Sequence, residues 1–381
     1  MKRREIVVDL VKAAFIVLIV KVMASSSRVI PWNSNLDNLC IVFAVGVMFA
    51  KICTLTFEFK KLIMLAAAAL LTLYTCVALK QYDIFITVIV ICLVMNEDLD
   101  EYITLMLKTQ AIIIIGHIIV TGFRSLIGEG TYYWRMTGDR LRFNGGFVHA
   151  NVLSCYIMSC TLMFAWKRFG RITANQFAWM LCITVLAYIA SRSRTGLMLN
   201  LVTLLIILLA QKENQLAVKG TNALLPPLFP ALTALFFLMQ KWYVAGNRVA
   251  VILDKLLTGR IKYAAYAYIR SGVTWLPRYL DYADSGVVSW TEEWNLNTFT
   301  FDSMYSFLFI QMGIVWVGLI SLLIAVVCRR FDFKNKLFIL IWVLYAIVEV
   351  HGLNCIKFFP LILLSTLLSG KGAESRAEPV D

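Results

Sequence analysis

Charge is scarce in this chain. Asp, Glu, Lys and Arg make up 15% of its 381 residues, and apolar residues make up 60%. A soluble domain runs at about a quarter charged and half apolar. So little charge cannot coat a water-facing surface, and lipid is the expected solvent for most of the chain. Size rules for soluble domains then do not apply. Histidine is scarcer still, with only His117, His149 and His351. No second histidine or cysteine lies at ligand spacing near His149, so no metal site is indicated there. No Cys-x-x-Cys pair occurs among the nine cysteines. They lie in or at the ends of apolar stretches, as small buried hydrophobes do, and support neither a disulfide framework nor a zinc module. No phosphate-binding P-loop is present.

What the chain does have is positive charge, a net +13. The basic residues are scattered through short loops, with no contiguous basic face interleaved with aromatics. Nucleic acid is therefore not an expected partner. Anionic membrane lipids and an anionic lipid-linked substrate account for the excess better. The start, Met1-Lys2-Arg3-Arg4, imitates a signal peptide. Lys12 and Lys21 interrupt the apolar run behind it, and no small-x-small cleavage site follows. It reads as a retained first span.

A membrane-crossing helix needs about 20 mostly apolar residues. The expected fold is an all-α integral membrane protein, a single polytopic domain over 1–381 with about twelve spans. The first six are Ile6–Met23, Leu39–Phe57, Leu62–Leu79, Ile84–Met95, Tyr102–Phe123 and Phe147–Trp166. The second six are Phe177–Ala190, Thr195–Ala210, Asn222–Met239, Ser303–Val327, Leu337–Val350 and Leu353–Leu368. Short-loop Lys and Arg orient them with the N-terminus in the cytoplasm. Lys60, Lys61, Lys167, Arg168, Arg171, Lys212, Lys219, Arg329, Arg330, Lys334 and Lys336 then face inward. Twelve spans also put the tail, 370–381, inside.

Three outer segments break the charge rule by being basic. One is about 124–146, with Arg135, Arg140 and Arg142. Another is the turn Ser191-Arg192-Ser193-Arg194-Thr195-Gly196. The third is the long extracytoplasmic loop 240–302, rich in Trp and Tyr and expected to be partly helical. Within it, Arg260 to Arg270 suits a helix lying along the membrane surface. Charge beside a bilayer is costly unless something anionic meets it. In this topology the even-numbered spans open outward at their N-termini, which carry partial positive charge and attract anions. His149 and Asn151 stand at the start of the sixth span. Ser191 to Thr195 precede the eighth, and Asp302 precedes the tenth as a candidate N-cap. Arginine pairs with phosphate through a planar fork, so Arg192 and Arg194 in an extended turn could flank one diphosphate. Arginines reaching to lipid phosphates are the alternative. Gly145-Gly146 behind Arg142 permits a tight turn. No outer carboxylate is singled out as a general base by spacing.

Several segments together resemble the O-antigen polymerase and ligase superfamily of bacterial surface-glycan assembly. Arg142-Phe-Asn-Gly-Gly-Phe-Val-His149-Ala-Asn151 is similar to that family's arginine, glycine, then His/Pro-Asn pattern before a span. Ser191–Gly196, the long late loop from Gly259-Arg260, and Phe301-Asp302-Ser303-Met304-Tyr305 followed by Gly313 are the other parts. The resemblance implies an inverting, metal-independent glycosyltransferase of the GT-C type in the bacterial inner membrane. Its active site would be extracytoplasmic, with both termini cytoplasmic and no cofactor. Its substrate would be an oligosaccharide repeat on undecaprenyl diphosphate. A flippase and a chain-length regulator would be its partners. Arg142, His149, Arg192, Arg194 and Asp302 would be catalytic; Arg140, Asn151, Arg260 and Tyr305 would bind substrate. Ligases of this family usually carry a histidine in the long late loop, and 240–302 has none. That departure favours a repeat-unit polymerase of the Wzy type. Asp281-Tyr-Ala-Asp284 departs from the family's glycine-rich turn, which leaves the alignment of the loop open. A ligase, or a lipid-linked oligosaccharide flippase, are the alternatives.

Overall fold

The computed structural model describes residues 2–55, 59–129, 133–137, 140–257, 259–280, 301 and 303–369. The tail 370–381 and Asp302 therefore lie outside the described residues. So does most of the late half of the long loop. Among the described residues the fold is all-α, with one short hairpin. Its helices are α1 (Lys2–Ser25), α2 (Ser34–Thr54), α3 (Phe59–Leu79), α4 (Asp83–Val94), α5 (Leu99–Arg124), α6 (Ala150–Lys167), α7 (Ala174–Ser191) and α8 (Arg194–Ala210). They continue as α9 (Gln215–Val244), α10 (Arg248–Leu256), α11 (Arg260–Ser271), α12 (Met304–Phe307), α13 (Ile314–Arg330), α14 (Phe333–Tyr345) and α15 (Ser365–Leu368). The hairpin, β1 (Trp134–Thr137) and β2 (Arg140–Phe143), pairs antiparallel with Arg135 opposite Arg142. Among the described residues, five helical stretches are long and apolar enough to cross a membrane. They are α2, α7, α9, Leu62–Leu79 within α3, and Leu99–Gly128, which is α5 with its terminal π turn. The chain gathers into two compact units. The first draws on Met1–Ile63, Ile86–Ala217 and Asn354–Asp381, the second on Met64–Phe85 and Val218–Leu353.

In the first unit four lysines within or at the ends of apolar runs have carboxylate partners. Lys12 meets Glu101 at 2.6 Å and Lys51 meets Glu97 at 2.7 Å. Lys167, at the end of α6, meets Asp100 at 2.5 Å. All three pairs gather at the start of α5 and mark one pole of the unit. Lys21, near the end of α1, pairs with Asp37 at 3.2 Å. Pairing offsets the cost of charge inside an apolar unit.

The run expected to be a twelfth helical span is largely not α-helical. Backbone at 354–358 is irregular, and a 3-10 run over Phe359–Leu364 leads into α15. Cys355 N–H donates to Thr87 on α4 at 2.9 Å, and Asn96 N–H, beyond the end of α4, donates to Ser369 at 3.1 Å. The expected tenth span is corrected too. In the second unit it is broken into α12, a π turn over Leu308–Met312, and α13, with Gly313 at the break.

The long loop is structured in its first half. α9 runs on to Val244, and α10 and α11 follow. Rather than lying free along a surface, α11 buries Arg260, Ile261, Ala264, Ala265, Tyr266 and Ala267. Asp254 joins the two helices by accepting the Lys262 N–H at 2.8 Å. Burial raises its pKa, opposed by backbone hydrogen bonds from Lys262 and Ile261 and by the Lys262 charge. A raised folded pKa means the neutral acid suits the fold better than the carboxylate does. Its contribution is complete below the unfolded carboxylate range and is lost as pH rises through the folded value. Asp254→Asn is therefore expected to flatten the fall in stability as pH rises from the ordinary carboxylate range through the raised value, read as thermal midpoints in detergent. An unchanged slope would remove Asp254 from the account.

Candidate functional site

The site sits at the pole of the first unit where α6 and α8 begin, and it is built on a turn. Gly145 and Gly146 both have positive φ, +61° and +83°. A Cβ on Gly146 would stand 2.7 Å from Val29 and 2.8 Å from Thr121, so both backbone and space require glycine there. Asn144 Oδ1 accepts the Gly146 N–H at 2.9 Å and closes the turn. Arg28 N–H donates to Gly146 O at 2.7 Å, and Val148 N–H to Ser26 O at 2.8 Å, so the turn is pinned to the end of α1. Phe147 is fully buried, stacked on His117 at 4.6 Å and tilted against Tyr156 at 5.3 Å. His117 in turn bonds Ser27 Oγ at 2.8 Å. It is a packing residue.

This anchored entry fixes His149 as the N-cap of α6, where its Nδ1 accepts the Asn151 N–H at 3.2 Å. With Nδ1 accepting, the neutral ring carries its proton on Nε2. The exposed imidazole is therefore a hydrogen-bond donor in this state and does not offer a base. Arg142 reaches from β2 to two helix ends. Its Nε donates to the Ser191 carbonyl at the end of α7, 2.8 Å, and its Nη2 to Asn151 Oδ1 at the start of α6, 2.7 Å. Arg142 and Asn151 thus tie three elements together, and their first role is to position.

Serine and arginine alternate over the next turn, and so does burial. Ser191 and Ser193 are buried, Arg192 and Arg194 exposed. Ser191 Oγ accepts the Ser193 N–H at 3.2 Å, and Ser193 Oγ caps α8 by accepting the Gly196 N–H at 3.3 Å. Arg192 takes the left-handed conformation at φ +52°. The turn is tighter than the extended one expected, because Arg194 already belongs to the first turn of α8. Arg192 and Arg194 are both exposed. α8 also comes very close to α6, since a Cβ on Gly196 would collide with Ser154 Oγ. Small residues let helices approach this closely in lipid. Two helix N-termini therefore stand side by side, ringed by His149, Arg142, Arg192 and Arg194.

The sequence did not single out Ser154 or the role of Gly196. The small residue four from Ala150 and the glycine behind Ser193 are the signals that pointed to them. Other expected site residues fall elsewhere. Arg140 lies in β2 opposite Thr137. In the second unit, Arg260 is buried, with Nε donating to Val348 O at 3.2 Å and Nη1 to Leu257 O at 3.1 Å. These two bonds brace backbone. Tyr305 is corrected likewise. Its ring is fully buried against Phe229 and Phe236, and its hydroxyl donates to Val343 O at 2.7 Å. It is a core residue. Among the described residues, no three His, Cys, Asp or Glu side chains gather as metal ligands would. No family model, curated protein or solved structure matches this chain.

Proposed function

We propose that this chain polymerises lipid-linked oligosaccharide repeats at the outer face of the bacterial inner membrane. The observation that carries the reading is the paired start of α6 and α8 with exposed Arg192 and Arg194 beside it. Helix N-termini and guanidiniums both favour anions, and one diphosphate would engage both. In the reaction, a terminal sugar hydroxyl of one lipid-linked repeat attacks the anomeric carbon of the growing chain. The bond from that carbon to the diphosphate breaks, and the lipid diphosphate leaves with the electron pair. The hydroxyl proton passes to a base, a role left unassigned to any residue. Arg192 and Arg194 stabilise the charge that develops on the leaving diphosphate. Arg142 holds the ends of α6 and α7 where this works, and His149 donates a hydrogen bond from Nε2. The proposed topology is twelve crossings with cytoplasmic termini, the tenth broken at Gly313 and the twelfth largely non-α. The GT-C assignment rests on the motif resemblance alone.

The test is glycan length made by the purified full chain from undecaprenyl-diphosphate-linked repeats in proteoliposomes. Long chains are expected, and unreacted single repeats would reject a polymerase. Movement of repeats across the bilayer without polymer would favour a flippase. His149→Gln is expected to slow polymer formation, while chelators leave the wild type unaffected. Loss of activity on chelation, restored by a divalent ion, would overturn the role given to His149.

A further inference from the structure

Lys357 lies outside every motif used so far, yet its mounting is unusual. The run 354–358 abandons the α-helix inside an otherwise helical unit. Irregular backbone at membrane depth persists only where protein buries it or it lines a polar space. Here three helices each give a side chain to hold it. Thr87 of α4 accepts the Cys355 N–H at 2.9 Å. Gln110 of α5 donates to Ile356 O at 2.6 Å. Cys155 of α6 donates to Lys357 O at 3.5 Å. Asn354 closes the run from within, its side chain accepting the Ile356 N–H at 3.0 Å and its carbonyl the Phe358 N–H at 2.9 Å. From 354 to 365 every residue is buried except Lys357, which is half-buried. A run this firmly fixed presents one residue, and that residue is a cation.

Its position relates it to the candidate site. Asn151 and Cys155 are four apart on α6 and share a face. Asn151 holds Arg142, and Cys155 holds the Lys357 backbone. Ser154, between them, meets Gly196 of α8. The Lys357 backbone therefore lies about one turn, roughly 6 Å, beneath the level of Asn151. A lysine stem of four methylenes covers that distance.

We propose that Lys357 is a further ligand of the lipid diphosphate, meeting the phosphate nearer the lipid while Arg192 and Arg194 meet the other. This rests on the polymerase reading and adds to it a ligand for the phosphate that lipid diphosphate and monophosphate share. Lysine acts as a point charge, so arginine should substitute in part and glutamine should not. The experiment measures binding of undecaprenyl diphosphate and undecaprenyl monophosphate to the full chain in nanodiscs. The wild type is expected to prefer the diphosphate. Lys357→Gln is expected to lose about 10- to 100-fold of affinity for both lipids, because both carry the phosphate nearer the lipid, with Lys357→Arg between. Loss confined to the diphosphate, or no loss, would overturn the proposal while a wild-type diphosphate preference keeps the polymerase reading. A wild type without that preference would sink both. A second measurement needs no variant. Amine-reactive labelling of Lys357, read by mass spectrometry, should be suppressed by either lipid when bound. Unprotected labelling in the presence of bound diphosphate would also reject the assignment.

Discussion

The Arg192→Ala, Arg194→Ala double variant is expected to leave single lipid-linked repeats and no long glycan. Removing one charge-assisted donor from a developing negative charge costs about 2.7–4 kcal/mol, or roughly 100- to 1000-fold in rate. Removing both removes the exposed guanidiniums from the start of α8. The local fold should survive, because Ser191 and Ser193 carry the hydrogen bonds of the turn. Neither arginine side chain is needed for them. The single lysine variants separate two explanations. If planar two-point contact with phosphate matters, Arg194→Lys should fail nearly as badly as Arg194→Ala. If net charge is enough, lysine should restore long chains. The readout is product length at matched protein abundance in membranes. Near-normal long glycan from the double variant would leave these arginines as anchors for lipid head groups and withdraw the diphosphate site. Arg142 should behave differently. Its loss strands the Asn151 side chain and the Ser191 carbonyl, so Arg142→Ala should lower thermal stability as well as activity.

The parts of this site that are local in sequence were legible there. Gly145-Gly146 announced a tight turn, and the caps at His149 and Ser193 stand where polar residues precede apolar runs. The hairpin was passed over, although Gly138-Asp139 stands between its strands in the sequence and such pairs favour two-residue turns. Its strands are four residues each and mix Arg with Trp, Met and Phe, so no alternation marks them. Contacts between distant residues left no trace in periodicity. Arg260 looked like an anion ligand because it is a cation in an outer loop. Its partner, the Val348 carbonyl, lies 88 residues away. Tyr305 was expected to bind substrate through the resemblance carried by Phe301–Tyr305, and its aromatic neighbours come from α9. The charged residues inside apolar runs could be seen, but their carboxylate partners could not. Length and hydropathy also overstated regularity. They located the tenth and twelfth runs but could not tell a helix from a broken helix or a 3-10 run.

Gly313→Val is expected to cost the second unit its fold, and the reason is geometric. Gly313 has φ +93° and ψ 159°, a region that is essentially glycine-only. Occupying it with a side chain costs about 1–3 kcal/mol. The added Cβ would also land on the Trp275 carbonyl group, 2.5 Å from its carbon and 2.7 Å from the Leu276 nitrogen. That obstacle is backbone, and it cannot swing aside as a side chain would. The extended run at 274–278 is tied to the broken helix on both sides of the glycine. Thr274 N–H donates to Phe309 O at 3.1 Å and Arg278 N–H to Gln311 O at 2.9 Å. In return Ile314 N–H donates to Thr274 O at 2.9 Å and Val315 N–H to Trp275 O at 3.3 Å. These bonds satisfy polar groups that the break exposes, and moving the run away would strand them. Overpacking adds about 1–3 kcal/mol, so the total approaches the stability margin of a whole domain. Gly318 supplies the control, since it lies within α13 and a Cβ there meets nothing within 4 Å. Gly318→Ala should be neutral or stabilise by up to about 1 kcal/mol through helix propensity. Membrane yield and the thermal midpoint in detergent distinguish the two. A Gly313→Val protein that melts with the Gly318→Ala protein would show that the break at Gly313 does not hold the second unit together.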